Sequence, residues 1–112
     1  LWYAARSAAA NGVPQPLWVQ TDWRAPGVRG PFEFAWGGDI LYEKRFYEPL
    51  ERFLRGVLAP GGRVWLGEPE RGVSRPVWER LRQDGWRAEM VTRRKVAHGG
   101  QEPTVRLWEL TR

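Results

Sequence analysis

Apolar and polar residues recur with two different periods along the chain, and these periods predict helices and strands. Between Phe46 and Leu58 the apolar positions recur about every 3.6 residues, which predicts an amphipathic helix with one buried stripe. Short apolar runs bounded by glycine, proline or charged residues predict strands. There are five such runs, at 17–23, 32–36, 63–69, 86–96 and 104–110.

Two further segments predict helices. The alanine-rich stretch 1–11 has high helix propensity and is followed by Gly12, a typical residue after a helix end. Residues 75–84 form the other segment, with Ser74 as a candidate N-cap and Gly85 directly after its end. Together with 46–58, these segments make three predicted helices.

The order of these elements predicts the fold class. Strands that alternate with helices imply crossover connections and therefore a mostly parallel sheet with helices on both faces. The last two strands are joined by residues 97–103 alone, which is too short for a crossover. The last strand should therefore run antiparallel to the one before it. We predict an α/β fold that extends over residues 1–112.

Composition narrows the classes of protein that the chain can represent. With 42% hydrophobic and 28% charged residues, the composition is that of a globular protein. The chain has no cysteine, which excludes disulfides and thiolate metal sites and fits a cytoplasmic protein. One histidine, His98, argues against a histidine metal site or a catalytic triad. The first residues lack the basic and apolar regions of a signal peptide, so we expect none, and no 18-residue apolar run is present.

The net charge of +5 comes almost entirely from arginine. The arginines are scattered among acidic residues, and only 93–95 forms a basic run. Such a distribution is typical of an ordinary solvated surface, so the charge by itself is weak support for a basic RNA-binding module. Nucleic acid is not the partner that we expect.

Acidic residues follow three predicted strands. Asp22, Asp39 and Glu68 each stand at or just past a strand's carboxyl end. In open α/β sheets, ligands bind beyond those ends, so we expect the three carboxylates to converge on one rim of the sheet. The alternative is that the aspartates cap helices or turns, as aspartate often does.

With these features the chain resembles the carboxyl half of a class I, seven-strand S-adenosylmethionine-dependent methyltransferase. More narrowly, it is similar to the protein-methyltransferase branch with Asp-x-x-Tyr after the fourth strand. The resemblance rests on "AARSAAANG", "VQTDWR", "FEFAWGGDILYEKRFYEPLERFLRGVLAPGGRVWL" and the closing hairpin, and spans essentially the whole chain. It implies a Rossmann-like sheet whose first strands are missing.

The family's glycine-rich cofactor loop and its ribose-binding acid would both lie before Leu1. The chain does not begin with methionine, and its only methionine is Met90. We therefore expect residues 1–112 to be the carboxyl-terminal half of a single Rossmann-like domain, a piece of a longer chain without the amino-terminal half. The isolated chain is expected to be inactive.

The resemblance assigns cofactor contacts to four residues. Asp22 would accept a hydrogen bond from the adenine amino group of S-adenosylmethionine. Trp23 would pack on the adenine face, or else belong to the core. Gly37 and Gly38 would let the backbone approach the methionine end of the cofactor, because neither carries a Cβ. They could also simply end a strand.

Asp39 and Tyr42 are the catalytic candidates that the resemblance implies. Asp39 would hold an incoming amine, and the Tyr42 hydroxyl would orient it, unless Tyr42 is a core aromatic. The stretch 39–42 lacks the prolines of the Asn/Asp-Pro-Pro-aromatic motif that acts on nucleic-acid bases. This favours a protein lysine as acceptor, with a small-molecule amine second. A truncated, non-catalytic domain that serves as an interaction partner remains the alternative to an enzyme.

Overall fold

The computed structural model describes residues 1–112 and has a mixed α/β fold with three α-helices and a four-stranded sheet. The elements in chain order are α1 (Trp2–Ala10), β1 (Phe32–Gly38), a 3-10 turn (Lys44–Phe46), α2 (Tyr47–Val57), β2 (Leu58–Pro69), α3 (Arg75–Gln83), β3 (Arg87–Lys95) and β4 (Thr104–Thr111). All three predicted helices are present, and each end differs by at most one residue from the sequence prediction.

The amphipathic pattern of α2 determines how the helix packs. Its buried residues are Tyr47, Leu50, Leu54 and Val57, which lie on one stripe at helical spacing. On the other side, Arg52 pairs with Glu48 one turn earlier. The buried stripe packs against the sheet, in one core with Val64 and Leu66 of β2.

The sheet has the order β1-β2-β4-β3. β1 and β2 pair in parallel, whereas β4 pairs antiparallel with both β2 and β3. β4 therefore inserts between β2 and β3, and it alone runs against the direction of the other three strands. The prediction of an antiparallel last strand is confirmed.

The predicted strand at 17–23 is wrong. No ladder forms there, and the only backbone bridge is the local one between Asp22 and Ala25. Leu17 is 91% exposed. A strand needs the backbone of a neighbour to satisfy its N–H and C=O groups, and this segment does not reach the free edge of β1.

The prediction of helices on both faces of the sheet is also wrong. One face is covered, because Val64, Leu66 and Leu110 join residues of α2 and α3 in one apolar core. On the opposite face Phe34 packs edge-on against Trp65, and Trp36 is 78% exposed. α1 buries no residue and contributes nothing to the core. The aromatic side of the sheet is therefore uncovered.

Pro60, Gly61 and Gly62 stand between the predicted helix at 46–58 and the predicted strand at 63–69, but in the structure they lie inside β2. Residues 59–62 bulge out of the ladder, since the register between β1 and β2 slips at this point. Gly61 has a φ of +74°, a left-handed conformation that favours glycine. A Cβ on Gly62 would lie 3.1 Å from the carbonyl oxygen of Phe32. The two glycines therefore allow β2 to bend directly out of the helix that precedes it.

Candidate functional site

The end of β1 places Asp39 at the rim of the sheet. Its backbone N–H donates to the carbonyl oxygen of Gly67 on β2 at 2.7 Å. Its φ is +50°, a left-handed conformation that aspartate tolerates better than most residues. The chain thus turns sharply at Asp39 while the residue remains fastened to the neighbouring strand.

The Asp39 carboxylate pairs with Arg71, a residue that the sequence analysis missed. Two guanidinium nitrogens donate to the two carboxylate oxygens, at 2.7 and 3.2 Å. Both side chains are about half exposed. Arg71 stands just beyond β2, where the end-of-strand rule also places ligand-binding residues. An amine that approached Asp39 would have to share the carboxylate with this guanidinium.

Tyr42 is 51% exposed and is therefore not a core aromatic. Its ring packs edge-on against Phe46, with the ring centroids 5.6 Å apart. The buried tyrosine of this region is Tyr47, whose hydroxyl donates to the carbonyl oxygen of Val73 at 2.7 Å. Burial, and then the negative charge of Glu68, raises the pKa of Tyr47. Of the two phenols, only Tyr42 is available to a ligand.

Asp22 lies in a tight turn and is held by Arg24. Its carboxylate accepts hydrogen bonds from the Arg24 side chain, the shortest at 2.7 Å, and from the Arg24 backbone N–H at 2.9 Å. Those two hydrogen bonds, the side-chain one first, lower the pKa of Asp22 to about 2. The carboxylate is thus ionised at neutral pH, in a position where it can accept further hydrogen bonds.

Trp23 has contacts on two sides. It is partly buried, packs against the core, and meets Phe53 edge-on at 5.2 Å between ring centroids. It also lines an open cleft of about 490 Å³ whose walls are residues 20–24 and Phe46. Both interpretations of Trp23, as a core aromatic and as a cleft wall, therefore describe part of its environment.

The structure brings some of the predicted site residues together and separates others. Asp22 and Trp23 share the cleft, and Phe46 connects that cleft to Tyr42. Asp39 does not line the cleft and faces Arg71. The candidate site therefore has two parts, a cleft at 20–24 and an acid–arginine pair at the end of β1.

Gly37 and Gly38 are the last residues of β1, and their environments differ. A Cβ on Gly37 would come within 2.7 Å of the Ile40 side chain, so this glycine makes room for a neighbour in the chain itself. A Cβ on Gly38 would meet nothing within 4 Å. Only at Gly38 is the backbone open to an approaching molecule.

Glu68 does not belong to the rim, so the expected convergence of three carboxylates is wrong. Its side chain is buried, pairs with Arg106 at 2.8 Å and accepts a hydrogen bond from the Trp78 indole at 3.1 Å. Ser74 stands at the N-cap position of α3, as predicted, but its hydroxyl makes no capping bond and instead accepts a hydrogen bond from Arg106. Strand alternation turns Glu68 toward the helices and away from the rim.

The arrangement contains no group of three or more histidine, cysteine, aspartate or glutamate side chains that could hold a metal ion. None of the helices is long and apolar enough to cross a membrane. The site contains the Asp39–Arg71 ion pair, which has no net charge, and the exposed phenol of Tyr42. It also contains the ionised carboxylate of Asp22 beside the Trp23 indole.

No protein-family model matches the sequence, and no curated protein matches it significantly. Among solved structures, the chain is similar to the crystal structure of a methyltransferase from Pyrococcus furiosus, with a TM-score of 0.67 and 18% sequence identity. The match covers 98% of this chain and 56% of that chain. The chain therefore has the fold of part of a methyltransferase.

Proposed function

We propose that the chain is part of an S-adenosylmethionine-dependent methyltransferase that transfers a methyl group to an amine, with a protein lysine as the favoured acceptor. The observation that carries this proposal is the fold that nearly the whole chain shares with the Pyrococcus furiosus methyltransferase. The end of β1 adds chemical support, since it presents Asp39, Arg71 and the nearby Tyr42 to solvent. The proposal assigns these residues to the acceptor and the cleft at 20–24 to the cofactor.

The residues of the cleft fit the adenosyl part of the cofactor. An ionised carboxylate at Asp22 can accept from an exocyclic amino group, and the rings of Trp23 and Phe46 offer apolar surface for a base. Base–aromatic stacking contributes about 1–3 kcal/mol per base. The open backbone at Gly38 admits the amino-acid end. Bound there, S-adenosylmethionine would supply an electrophilic methyl group.

Positioning explains the roles that we assign at the acceptor site. An amine attacks only through its unprotonated nitrogen, and a lone carboxylate would favour the ammonium form. The Asp39–Arg71 pair is neutral overall, so it can accept an N–H hydrogen bond without strongly favouring the ammonium form. The Tyr42 hydroxyl can direct the lone pair, and transfer then depends mainly on alignment and on exclusion of water.

A specific observation supports the interaction role as the second candidate function. The uncovered aromatic face and the free edge of β1 are typical of surfaces that another polypeptide covers. The partner that we propose for them is the other half of a methyltransferase domain. In this role the chain completes a fold and performs no chemistry by itself.

Calorimetric titration with S-adenosylmethionine tests the proposed function. The natural gene product that contains this chain should bind the cofactor and transfer labelled methyl groups to lysine-bearing protein more readily than to a small amine. Asp22→Ala should weaken binding by about 1–3 kcal/mol, the cost of an unsatisfied hydrogen bond. The isolated 112-residue chain should bind weakly. If the gene product binds no cofactor, the proposal of an enzyme is refuted, and the non-catalytic interaction role is the proposal that stands.

A further inference from the structure

A second cleft, of about 310 Å³, lies between α3 and the β3–β4 hairpin. It shares no lining residue with the cleft at 20–24. Its volume is at the lower end of the range for small-molecule sites. The proposed methyl transfer makes no use of it.

Two stacked indoles lie at the base of this cleft, and both are almost fully buried, with Trp78 3% and Trp108 6% exposed. The rings of Trp78 and Trp108 lie nearly parallel, at 16°, with centroids 4.3 Å apart. Met90, on β3, lies beside them and is about half exposed. Aromatic rings and a thioether together favour a flat apolar group.

Three arginines line the same cleft, and two of them have no carboxylate partner. Arg106 is committed to buried Glu68. Arg82 donates only to the carbonyl oxygen of Ala88, and its guanidinium carbon lies 5.8 Å from the Trp108 ring centroid. Arg75 makes neither an ion pair nor a side-chain hydrogen bond. Both guanidinium groups can therefore turn toward a ligand without breaking a salt bridge.

The acidic residues of the cleft do not cancel this charge. Glu70 is already paired with Arg93 at 2.8 Å. Glu79 makes no ion pair, so one unpaired carboxylate stands against two guanidinium groups, those of Arg75 and Arg82, that have no carboxylate partner. The cleft is therefore biased toward anions.

The polar atoms without a partner in this cleft are all donors. The Trp108 indole N–H and the Arg106 Nε–H are buried and have no acceptor in the chain, and Trp108 is only 6% exposed. Buried polar groups in folded proteins are almost always paired, so unpaired ones indicate strain or a missing partner. Each atom exposes less than 1 Å², so an acceptor oxygen in the open cleft reaches these donors only if the side chains above them move aside.

We propose that this cleft binds an oxyanion, a phosphate or carboxylate, attached to a flat apolar body. Arg75 and Arg82 bind the oxyanion, and the apolar body lies against the half-exposed Met90 and the small exposed part of the tryptophan pair. Arginine is suited to this task because its planar fork donates two parallel hydrogen bonds to phosphate or carboxylate. The proposal is independent of the methyltransferase assignment.

Phenyl phosphate is the probe for this site, titrated into the 112-residue chain and followed by tryptophan fluorescence and calorimetry. A ligand of this size should bind with a dissociation constant on the order of 1 mM. Inorganic phosphate should bind more weakly because it lacks the ring, and phenol more weakly because it lacks the charge. Benzoate in place of phenyl phosphate distinguishes a carboxylate site from a phosphate site.

Three variants connect the binding to the cleft. Arg82→Gln should weaken phenyl phosphate binding about tenfold, the effect of one charge-assisted contact. Arg75→Gln should act in the same direction, and it keeps the test valid if Arg82→Gln does not fold. Glu79→Gln should tighten binding because it removes a repelling carboxylate. Arg87→Gln, which removes an exposed arginine outside the cleft, is the matched control and should change nothing.

Two results would overturn the proposal. One is the absence of saturable binding at concentrations about twentyfold above the expected dissociation constant. The other is equal weakening by Arg87→Gln and by Arg75→Gln, which would indicate nonspecific attraction to a basic surface. Specific loss with Arg75→Gln or Arg82→Gln, together with tightening by Glu79→Gln, supports the site.

Discussion

Replacing Glu68 should remove a large share of the folding stability, although the residue stands at a strand end where ligand-binding acids occur. Its Oε1 accepts from both Arg106 and the Trp78 indole, and its side chain is only 4% exposed. Glu68→Leu leaves the Arg106 cation buried without its counter-charge, which costs about 3–5 kcal/mol. The total stability of a domain of this size is only about 5–15 kcal/mol.

A change of this size in the free energy of unfolding is easily measured. Urea unfolding followed by tryptophan fluorescence should report the change, because Trp78 and Trp108 lie stacked beside the altered residue. A loss of about 3 kcal/mol corresponds to a fall in melting temperature of roughly 10 °C or more in a domain of this size. Glu70→Gln is the control, since its exposed pair with Arg93 contributes about 1 kcal/mol or less.

A double variant shows whether the uncompensated charge is the cause. Glu68→Leu with Arg106→Met replaces the whole buried pair by apolar side chains, and such replacements are often neutral or stabilising. We therefore expect the double variant to recover most of the stability. If it is as unstable as Glu68→Leu alone, the loss comes from disrupted packing around Trp78, and the electrostatic reasoning is refuted.

Three further predictions concern the rim, the uncovered face and the pH dependence. Asp39→Gly should abolish most methyl transfer in the gene product. It should change the free energy of unfolding by about 1 kcal/mol or less, because the ion pair with Arg71 is half exposed and glycine suits the left-handed backbone. Methyl transfer at the parent rate would show that Asp39 is only a turn residue. Light scattering should show that the isolated chain associates as its concentration rises, and Trp36→Ser should reduce this association. A monodisperse parent chain would contradict association through the uncovered aromatic face. Burial raises the pKa of Glu51, but hydrogen bonds from Trp86 and Arg55 outweigh it and lower the pKa below its ordinary value of 4.5. The parent should therefore lose stability as the pH falls below about 4.5, with a flatter profile in Glu51→Gln; equal profiles would exclude this contribution.

Local sequence was sufficient for the helices and for the direction of the last strand. The apolar stripe of α2 follows directly from helical spacing, and the short connection after β3 leaves an antiparallel hairpin as the only geometry available. The exposed carboxyl end of β1 could also be anticipated, because Gly37 and Gly38 end the aromatic run just before Asp39. In each of these cases the determining interactions lie within a few residues of one another.

Tertiary structure alone decided the rest. Residues 17–23 have strand composition, but whether they pair depends on a neighbouring backbone that no local pattern describes. Arg71 and Asp39 are 32 residues apart, and they meet only because β1 and β2 are parallel neighbours. Glu68 has the same sequence signal as Asp39, yet strand alternation turns it into the core, where Arg106 from β4 neutralises it. A carboxylate's role thus depends on which distant residue the fold brings to it.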